Sequence, residues 1–453
     1  MTRVPEQTDV LVVGGGMAGL AAAALAAELG ARVVVLEKQA QPGGSAALSS
    51  GIFWTAPDFA TLRERVPGGD PELGRVVVED YPAAVEALRA TGVSVTEQFS
   101  GVMGFGIGHR FDVRAWVQRA RAGIEQRGGL VACGARASEL LRDRAGAVVG
   151  ATVLLEETGR AGVALHARAT VLATGGFQGA PDLRAALVGP GSERLLLRSN
   201  PGSVGDGLRL GLAVGAGPSG GLGTYYGHLL PSPLPGFGPQ HFLPLTQYHS
   251  KYCLLVNALG RRFCEETRGD EVNNQALARQ PGGRGVLICD ERVRREHVIT
   301  PPMPHTEAVD RFAEAARAGA RQASAPDLDA LVRAVAGWGV PAASLRATLE
   351  AYDGVLRGQA RPLDAPLSAQ AAPLRQAPFH ALEVQPSITF TFGGLRVDAV
   401  AQVLDRDGCP IPGLHAAGAD AGGVSNEVYA GGLAPAFILG RRAARAALAA
   451  SGG

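Results

Sequence analysis

The sequence predicts an α/β fold, and three observations carry that reading. A β-branched run at residues 9–13 leads through glycines into an Ala/Leu-rich stretch at 20–29 and then into a second β-branched run at 32–36. Short strands of the doubly buried kind alternating with a helix of that length are the pattern of a parallel βαβ unit. Strand-like runs that end in glycine recur later, at "ATVLATGGFQG" (169–179) and "PGLHAAGADAGG" (412–423). The chain of 453 residues, 46% of them apolar, is long enough for a large core and for two or three domains.

The opening "DVLVVGGGMAGLAAAALAAELGARVVVLEK" justifies its elements one by one. Gly14, Gly16 and Gly19 form G-x-G-x-x-G between the first strand and the helix. Gly14 allows the tight turn, Gly16, followed by Met17 and Ala18, lets the backbone approach a pyrophosphate at the helix N-terminus, and Gly19 lets helix and strand pack closely. Glu37 closes the second strand, followed by Lys38, and its carboxylate is placed to accept hydrogen bonds from a ribose. The spacing alone is a weak signal. Strand, glycines, helix, strand and acid in register make a strong one, and the unit is read as a Rossmann-type dinucleotide-binding domain.

Composition removes other classes. A net charge of +1 gives no case for nucleic acid or an anionic membrane. The five cysteines are widely spaced with no CxxC, which argues against iron–sulfur clusters, zinc sites and redox disulfides. The N-terminus has no signal-peptide layout and no 18-residue apolar stretch follows, so the expectation is a soluble, cytoplasmic protein without a membrane span.

The Gly-rich loops decide which dinucleotide is bound. "PGGSAALSSG" (42–51) brings Gly43, Gly44, Ser45, Ser49 and Gly51 directly after Glu37, as a loop along a phosphate and ribityl chain would be. Ala173, Thr174, Gly175 and Gly176 form a second strand exit. Asp206 opens a helix in "SNPGSVGDGLRLGLAVGA", and Gly418 and Asp420 close a third exit. Each alone reads as an ordinary tight turn. Together they fit a long, extended cofactor crossing the sheet, which is FAD rather than NAD.

In order and spacing, "VVGGGMAGLAAA…VVVLEK", "ATGGF", "SNPGSVGDG", "LLVNALGRRFCEE" and "FTFGGLRVDAVAQVLDRDGCPIPGLHAAGADAGG" resemble the flavoprotein family of fumarate reductase, succinate dehydrogenase and the 3-ketosteroid dehydrogenases. The resemblance covers nearly the whole chain. It implies a Rossmann-type FAD-binding domain made from both chain ends, residues 1–228 and 381–453, interrupted by an inserted α+β capping domain at 229–380. Patterning agrees: "LDALVRAVAGWG" and "AASLRATLEAYDGVL" have amphipathic helical spacing, and "RPLDAPLSAQAAP" reads as irregular. Covalent members of the family carry a histidine near the position of Ser45, and none stands in this loop, so the FAD is expected to be non-covalent. No second dinucleotide fingerprint follows. The electron acceptor, whether oxygen, quinone or carrier, is not written in the sequence.

On the substrate side the resemblance is informative through its departures. A proton-donor position of fumarate reductases falls at His249, a carboxylate-binding histidine position at Phe390 and an arginine position at Tyr429. A dicarboxylate buried without cations faces a desolvation cost of several kcal/mol. The 3-ketosteroid dehydrogenases fit better: there a Tyr before a Gly-containing turn, matching "YAGG" at 429–432, donates to a ketone oxygen. Five of the seven tyrosines (Tyr225, Tyr226, Tyr248, Tyr252, Tyr429) fall in segments expected to reach the flavin. The expectation is therefore α,β-dehydrogenation of a small-molecule cyclic ketone of steroid or cyclohexanone type. Tyr429 and the N–H of Gly432 polarise the carbonyl, the helix from Leu433 aims its positive end at the flavin, and hydride passes to flavin N5. His249, Tyr252 and Tyr248 are the candidate bases, with His228, Tyr225 and Tyr226 behind them. The alternative is an enoate reductase or a carboxylic-acid oxidoreductase, and a non-catalytic electron-transfer flavoprotein is the third reading.

Overall fold

Val10, Leu11 and Val12 expose nothing to solvent, which places their strand inside a sheet rather than at its edge. The computed structural model describes residues 4–155, 162–301, 307–359 and 361–449. In it, β1 (Gln7–Val13) runs parallel to β2 (Val33–Glu37) on one side and to strand Val163–Leu172 on the other. The register sets Val10 opposite Val33 and Ala169, and Val12 opposite Val35 and Val171. Strands Leu130–Cys133 and Pro410–Ala416 extend the parallel core outwards. The antiparallel Gln402–Leu404 and the hairpin of Ala135–Arg142 with Val148–Leu155 complete an eight-stranded sheet among the described residues.

Helix α1 (Met17–Glu28) starts at Met17, not at residue 20 where the Ala/Leu composition begins. The difference comes from Gly19, which reads as loop but sits in the first helical turn. A Cβ there would lie 1.9 Å from the Gly14 carbonyl oxygen, so only glycine lets strand end and helix start meet. The final helix, Leu433–Ala449, crosses α1 as closely, since a Cβ on Gly440 would lie 2.3 Å from the Ala18 carbonyl oxygen. A small antiparallel sheet of Ile52–Thr55, Gly106–Arg110 and Phe99–Val102 carries Trp54.

The chain divides into two compact units. The first comprises Met1–Val188, Ser199–Tyr225 and Phe390–Gly453, and the second Gly189–Arg198 and Tyr226–Thr389, against the sequence expectation of an insertion at 229–380. The second unit is α+β. Its long strand, Phe379–Ile388, pairs antiparallel with Gly285–Asp290, Gln322–Ala325 and Leu229–Pro231. Alternation sorts its faces: Leu254, Val256, Val286 and Ile288 pack with the helices Leu328–Ala336 and Ala342–Leu356. Leu255 and Leu287 pack with Leu277 of helix Asp270–Ala278. Among the described residues no helix is long and apolar enough to cross a membrane.

The Gly440 contact is testable. Gly440→Ala forces a methyl against the backbone of α1 and is expected to cost about 1–3 kcal/mol, as overpacking does, read as a lowered Tm with an unchanged circular dichroism spectrum. An unchanged Tm would show that the two helices can part without cost.

Candidate functional site: a dinucleotide cradle and two polar clusters

The first unit builds a cradle at the mouth of α1. Gly14 takes φ +108°, and a Cβ there would stand 2.2 Å from the Ala173 carbonyl oxygen. Gly16 is the N-cap of α1 and offers no side-chain cap, while a Cβ on it would meet nothing within 4 Å. An uncapped helix N-terminus facing open space is a ready anion site. Met17 and Ala18 are buried in the core, so this end of α1 offers its backbone rather than their side chains. The loop after β2 folds back over the turn: Gly43 N–H donates to the Gly15 carbonyl at 2.8 Å, and Gly44 takes φ +50°.

Glu37, buried at the end of β2, accepts from the N–H of Gly15 at 2.9 Å and of Gln39 at 2.8 Å. A carboxylate has about four acceptor sites, so two such bonds leave room for a ribose hydroxyl. Ser45 Oγ lies 2.9 Å from Ser199 Oγ, which also accepts from Gln178 Nε2. Ser49 Oγ accepts from the N–H of Gly51, a residue at φ +79°. The residues present thus fit an extended dinucleotide: backbone amides for its pyrophosphate, Glu37 for its ribose, and small side chains along its path.

Two acids expected at the cofactor are largely engaged by the protein itself. Asp206, first residue of helix Asp206–Ala213, pairs with Lys38 Nζ at 2.6 Å and Arg136 Nη2 at 2.9 Å. Asp420 accepts from both the backbone N–H and the hydroxyl of Thr174, and Thr174 Oγ1 in turn accepts from Gly207 N–H at 2.8 Å. Burial pushes the Asp420 carboxyl up to about 7. Ala173, Gly175, Gly176 and Gly418 make the bare turns beside this network; Gly175 and Gly418 have positive φ. The Lys38–Asp206–Arg136 triad joins residues up to 168 positions apart and carried no local sequence signal.

Tyr429 forms the second cluster of the first unit. Its ring lies edge-on to Trp54 at 5.4 Å and to Phe390 at 5.6 Å. Trp54 in turn meets Phe105 at 5.7 Å. Gly431 turns the chain at φ +105°, and a Cβ on Gly432 would stand 3.1 Å from the Tyr429 hydroxyl. The Gly432 N–H, immediately before helix Leu433–Ala449, has no hydrogen-bond partner among the described residues. Phenol and backbone donor therefore stand together at a helix N-terminus in aromatic surroundings.

The candidate bases lie on one turn of the second unit, Tyr248–Tyr252, and diverge from it. His249 is 2% exposed and faces Phe312, and among the described residues neither ring nitrogen has a hydrogen-bond partner. Burial, then the nearby Arg311 and His297, holds it down to about 3. Tyr252 is exposed and stacks on His297 at 3.7 Å. Tyr248 sits edge-on to His228 at 5.1 Å. Sequence reasoning did not find what His228 does: its Nδ1 lies 2.5 Å from Asp270 Oδ2 and its Nε2 lies 2.8 Å from the Tyr226 hydroxyl. The usable signal was Tyr226-x-His228, an i, i+2 pair on one side of an extended segment. Asp270 gave none.

A family model described as "FAD binding domain" matches residues 9–433. Urocanate reductase of Eggerthella lenta is 29% identical over 96% of this chain and 73% of its own length. Fumarate reductase (cytochrome) of Shewanella frigidimarina is 27% identical over 97% of this chain and 76% of its own. Among solved structures, 3-ketosteroid delta1-dehydrogenase from Sterolibacterium denitrificans, in complex with 1,4-androstadiene-3,17-dione, superposes with a TM-score of 0.76 at 20% identity, over 98% of this chain and 100% of that one.

The cradle yields a direct test. Gly16 has an ordinary φ of −82° and free space around its Cβ, so Gly16→Val is expected to fold normally and to fill the space beside the helix end. FAD content per chain should fall to near zero while the melting temperature of the cofactor-free protein is unchanged. Full FAD content in the variant would place the cofactor elsewhere.

Proposed function

The chain belongs to the FAD-binding domain family of flavoprotein oxidoreductases, and from that premise we propose that it dehydrogenates the α,β-bond of a cyclic ketone of steroid or cyclohexanone class. FAD when bound supplies a two-electron acceptor for the hydrogen that leaves the β-carbon. The chain's own residues do the rest. The observation that carries the reading is the Tyr429–Gly432 pair: the phenol hydroxyl lies 3.1 Å from where a Cβ on Gly432 would stand, and the Gly432 N–H has no hydrogen-bond partner among the described residues.

Two such donors suit a single carbonyl oxygen. They hold the ketone and stabilise the negative charge that grows on its oxygen as the α-proton leaves. The helix starting at Leu433 adds its positive end to the same place. Trp54 and Phe390 around the phenol present apolar ring surface, which suits a hydrocarbon ring and offers no counter-ion to a carboxylate. The FAD is proposed to be non-covalent, because Ser45, whose hydroxyl meets that of Ser199, stands at the loop position near which covalent members of the family carry a histidine.

A second reading has its own support. The relatives named above reduce urocanate and fumarate, and the same donors would polarise the carbonyl of an unsaturated acid running in the opposite direction. Anaerobic flavin bleaching separates the two: saturated cyclic ketones should bleach the bound FAD, and succinate should not. Bleaching by succinate, or rapid reoxidation of the reduced protein by fumarate, would decide for the second reading.

Tyr429→Phe keeps the ring between Trp54 and Phe390 and removes one donor. Loss of a single oxyanion donor typically lowers turnover about 10²–10³-fold, and FAD content and melting temperature should stay as in the wild type. Wild-type rates in the variant would take the phenol out of the mechanism.

A further inference from the structure

The loop that carries Tyr429 is held in an uncommon shape. Two residues before the phenol, Glu427 takes φ +59°, where residues with a Cβ rarely sit. Across it the N–H of Val428 donates to the Asn426 carbonyl at 2.7 Å. A bond from residue i+2 back to residue i over a positive central φ is a γ-turn of the rarer, strained hand. Strain of this kind persists only where the surroundings over-determine it. They do so here from both sides. Asn426 Nδ2 donates to the Gly68 carbonyl at 3.0 Å, and its Oδ1 accepts from the Thr224 hydroxyl at 3.0 Å. Thr224 is itself held: its N–H donates to the Gly221 carbonyl, and its carbonyl accepts from the Phe392 N–H. A Cβ on Gly68 would stand 3.1 Å from the Asn426 amide nitrogen, so the chain there comes up bare against it. Beyond the turn, the buried Ser425 hydroxyl accepts from the Ala430 N–H at 2.9 Å and closes residues 425–430 into a loop. All of these residues belong to the first unit.

We propose that Asn426 and Glu427 are positioning residues for the Tyr429–Gly432 donor pair. Asn426 anchors the turn, and the left-handed backbone at Glu427 sets the line along which the phenol enters its aromatic surroundings. This rests on the ketone reading above. A γ-turn reverses the chain within three residues, so Tyr429 leaves it in a fixed direction, toward Trp54 at 5.4 Å and Phe390 at 5.6 Å. The chain turns again at Gly431, with φ +105°, before it reaches Gly432. Two turns thus bracket the phenol. Donors to a developing oxyanion act by standing at its place before the charge appears. A misplacement of about 1 Å can cost 10²-fold in rate, so the anchoring of this loop bears directly on turnover.

The backbone of Glu427 carries the role, and its carboxylate does not. The side chain is exposed, whereas Tyr429 is half-buried. Glycine at 427 would allow this φ together with many others, but an L-residue has only a small left-handed well. With Asn426 tied through both ends of its amide and Ala430 tied to Ser425, that well is the conformation left to residue 427. Asparagine also tolerates it, while a β-branched side chain does not. Among the described residues Met103 and Ala401 take positive φ as well, but there the bonds span wider turns, from Phe105 N–H to Val102 and from Ala401 N–H to Asp398. The tight turn is the one beside the phenol.

Two measurements on the FAD-loaded full chain test the placement. The first uses no substrate: fluorine NMR of protein labelled with 5-fluorotryptophan. The Trp54 signal, assigned by its loss in Trp54→Phe, reports the Tyr429 ring that lies edge-on to it. Glu427→Val cannot hold the turn and Asn426→Ala cuts both ties, so each should move that signal and leave those of Trp116 and Trp338 in place. Glu427→Asn drops the charge, keeps the positive φ and should move none of the three. If Glu427→Val fails to fold, as read from Tm and FAD content, Asn426→Ala still decides. A Trp54 signal unmoved in Asn426→Ala overturns the anchor, and one moved by Glu427→Asn as far as by Glu427→Val overturns the backbone role. The second measurement is turnover of a saturated cyclic ketone. In Asn426→Ala kcat should fall about 10–10²-fold with KM nearly unchanged, the mark of an interaction made in the transition state, and Glu427→Asn should keep the wild-type kcat. An unchanged kcat beside a moved Trp54 signal overturns the proposal, because placement would then not govern the rate. A wild type that turns over no ketone while the variants move Trp54 sinks the ketone reading and leaves the positioning standing.

Discussion

Closest approach of backbone to backbone governs the first unit. At Gly14, Gly19 and Gly440 a single methyl would collide with a main-chain oxygen, so the end of β1, the start of α1 and the body of the final helix meet with no side chain between them. The rest of the cradle follows from it. Because β1 and β2 are in register and α1 sits tightly over them, the Glu37 carboxylate reaches the N–H of Gly15, and the loop after β2 is drawn back over the turn. Side chains decorate this arrangement. Their absence creates it.

Buried acids do different work according to what faces them. Asp206 has a lysine and an arginine on its two oxygens and acts as a tie between distant segments. Asp270 has an imidazole, a hydroxyl and an amide, all neutral donors when the imidazole is neutral, and burial leaves it with an appetite for a proton. The same residue type is an ion-paired tie in one unit and an acid held up to about 8 by burial in the other. The difference lies in the charge of its neighbours, since both side chains are similarly hidden from water.

Local spacing made part of this legible. The βαβ unit could be read from glycine positions and β-branched runs, because each of its constraints acts over a few residues. The start of α1 was misplaced to residue 20 because Gly19 lowers helical propensity where tertiary packing demands glycine. Tyr429 beside Gly432 was legible for the same reason as the glycine fingerprint: three positions separate them. Trp54 as the partner of the Tyr429 ring was not, with 375 positions between them across several elements. The imidazole of His249 looked fit for neutral pH in sequence, where its burial cannot be seen; His228 looked ordinary, because Asp270 stands 42 positions away. Pairings across long separations are set by topology, which periodicity does not encode.

The order of strands in the first sheet also bears on how the chain is made. Strand Pro410–Ala416 lies directly against Val163–Leu172, yet the whole second unit is synthesised between them. While the ribosome produces residues 226–389, the edge of Val163–Leu172 that will receive its neighbour stays open, and such an apolar, unpaired edge is a template for misassociation. The inserted unit, whose long strand Phe379–Ile388 is its last to emerge, can close on itself before that neighbour exists. The Thr170–Leu172 part of that edge is therefore completed only after the whole inserted unit has been made.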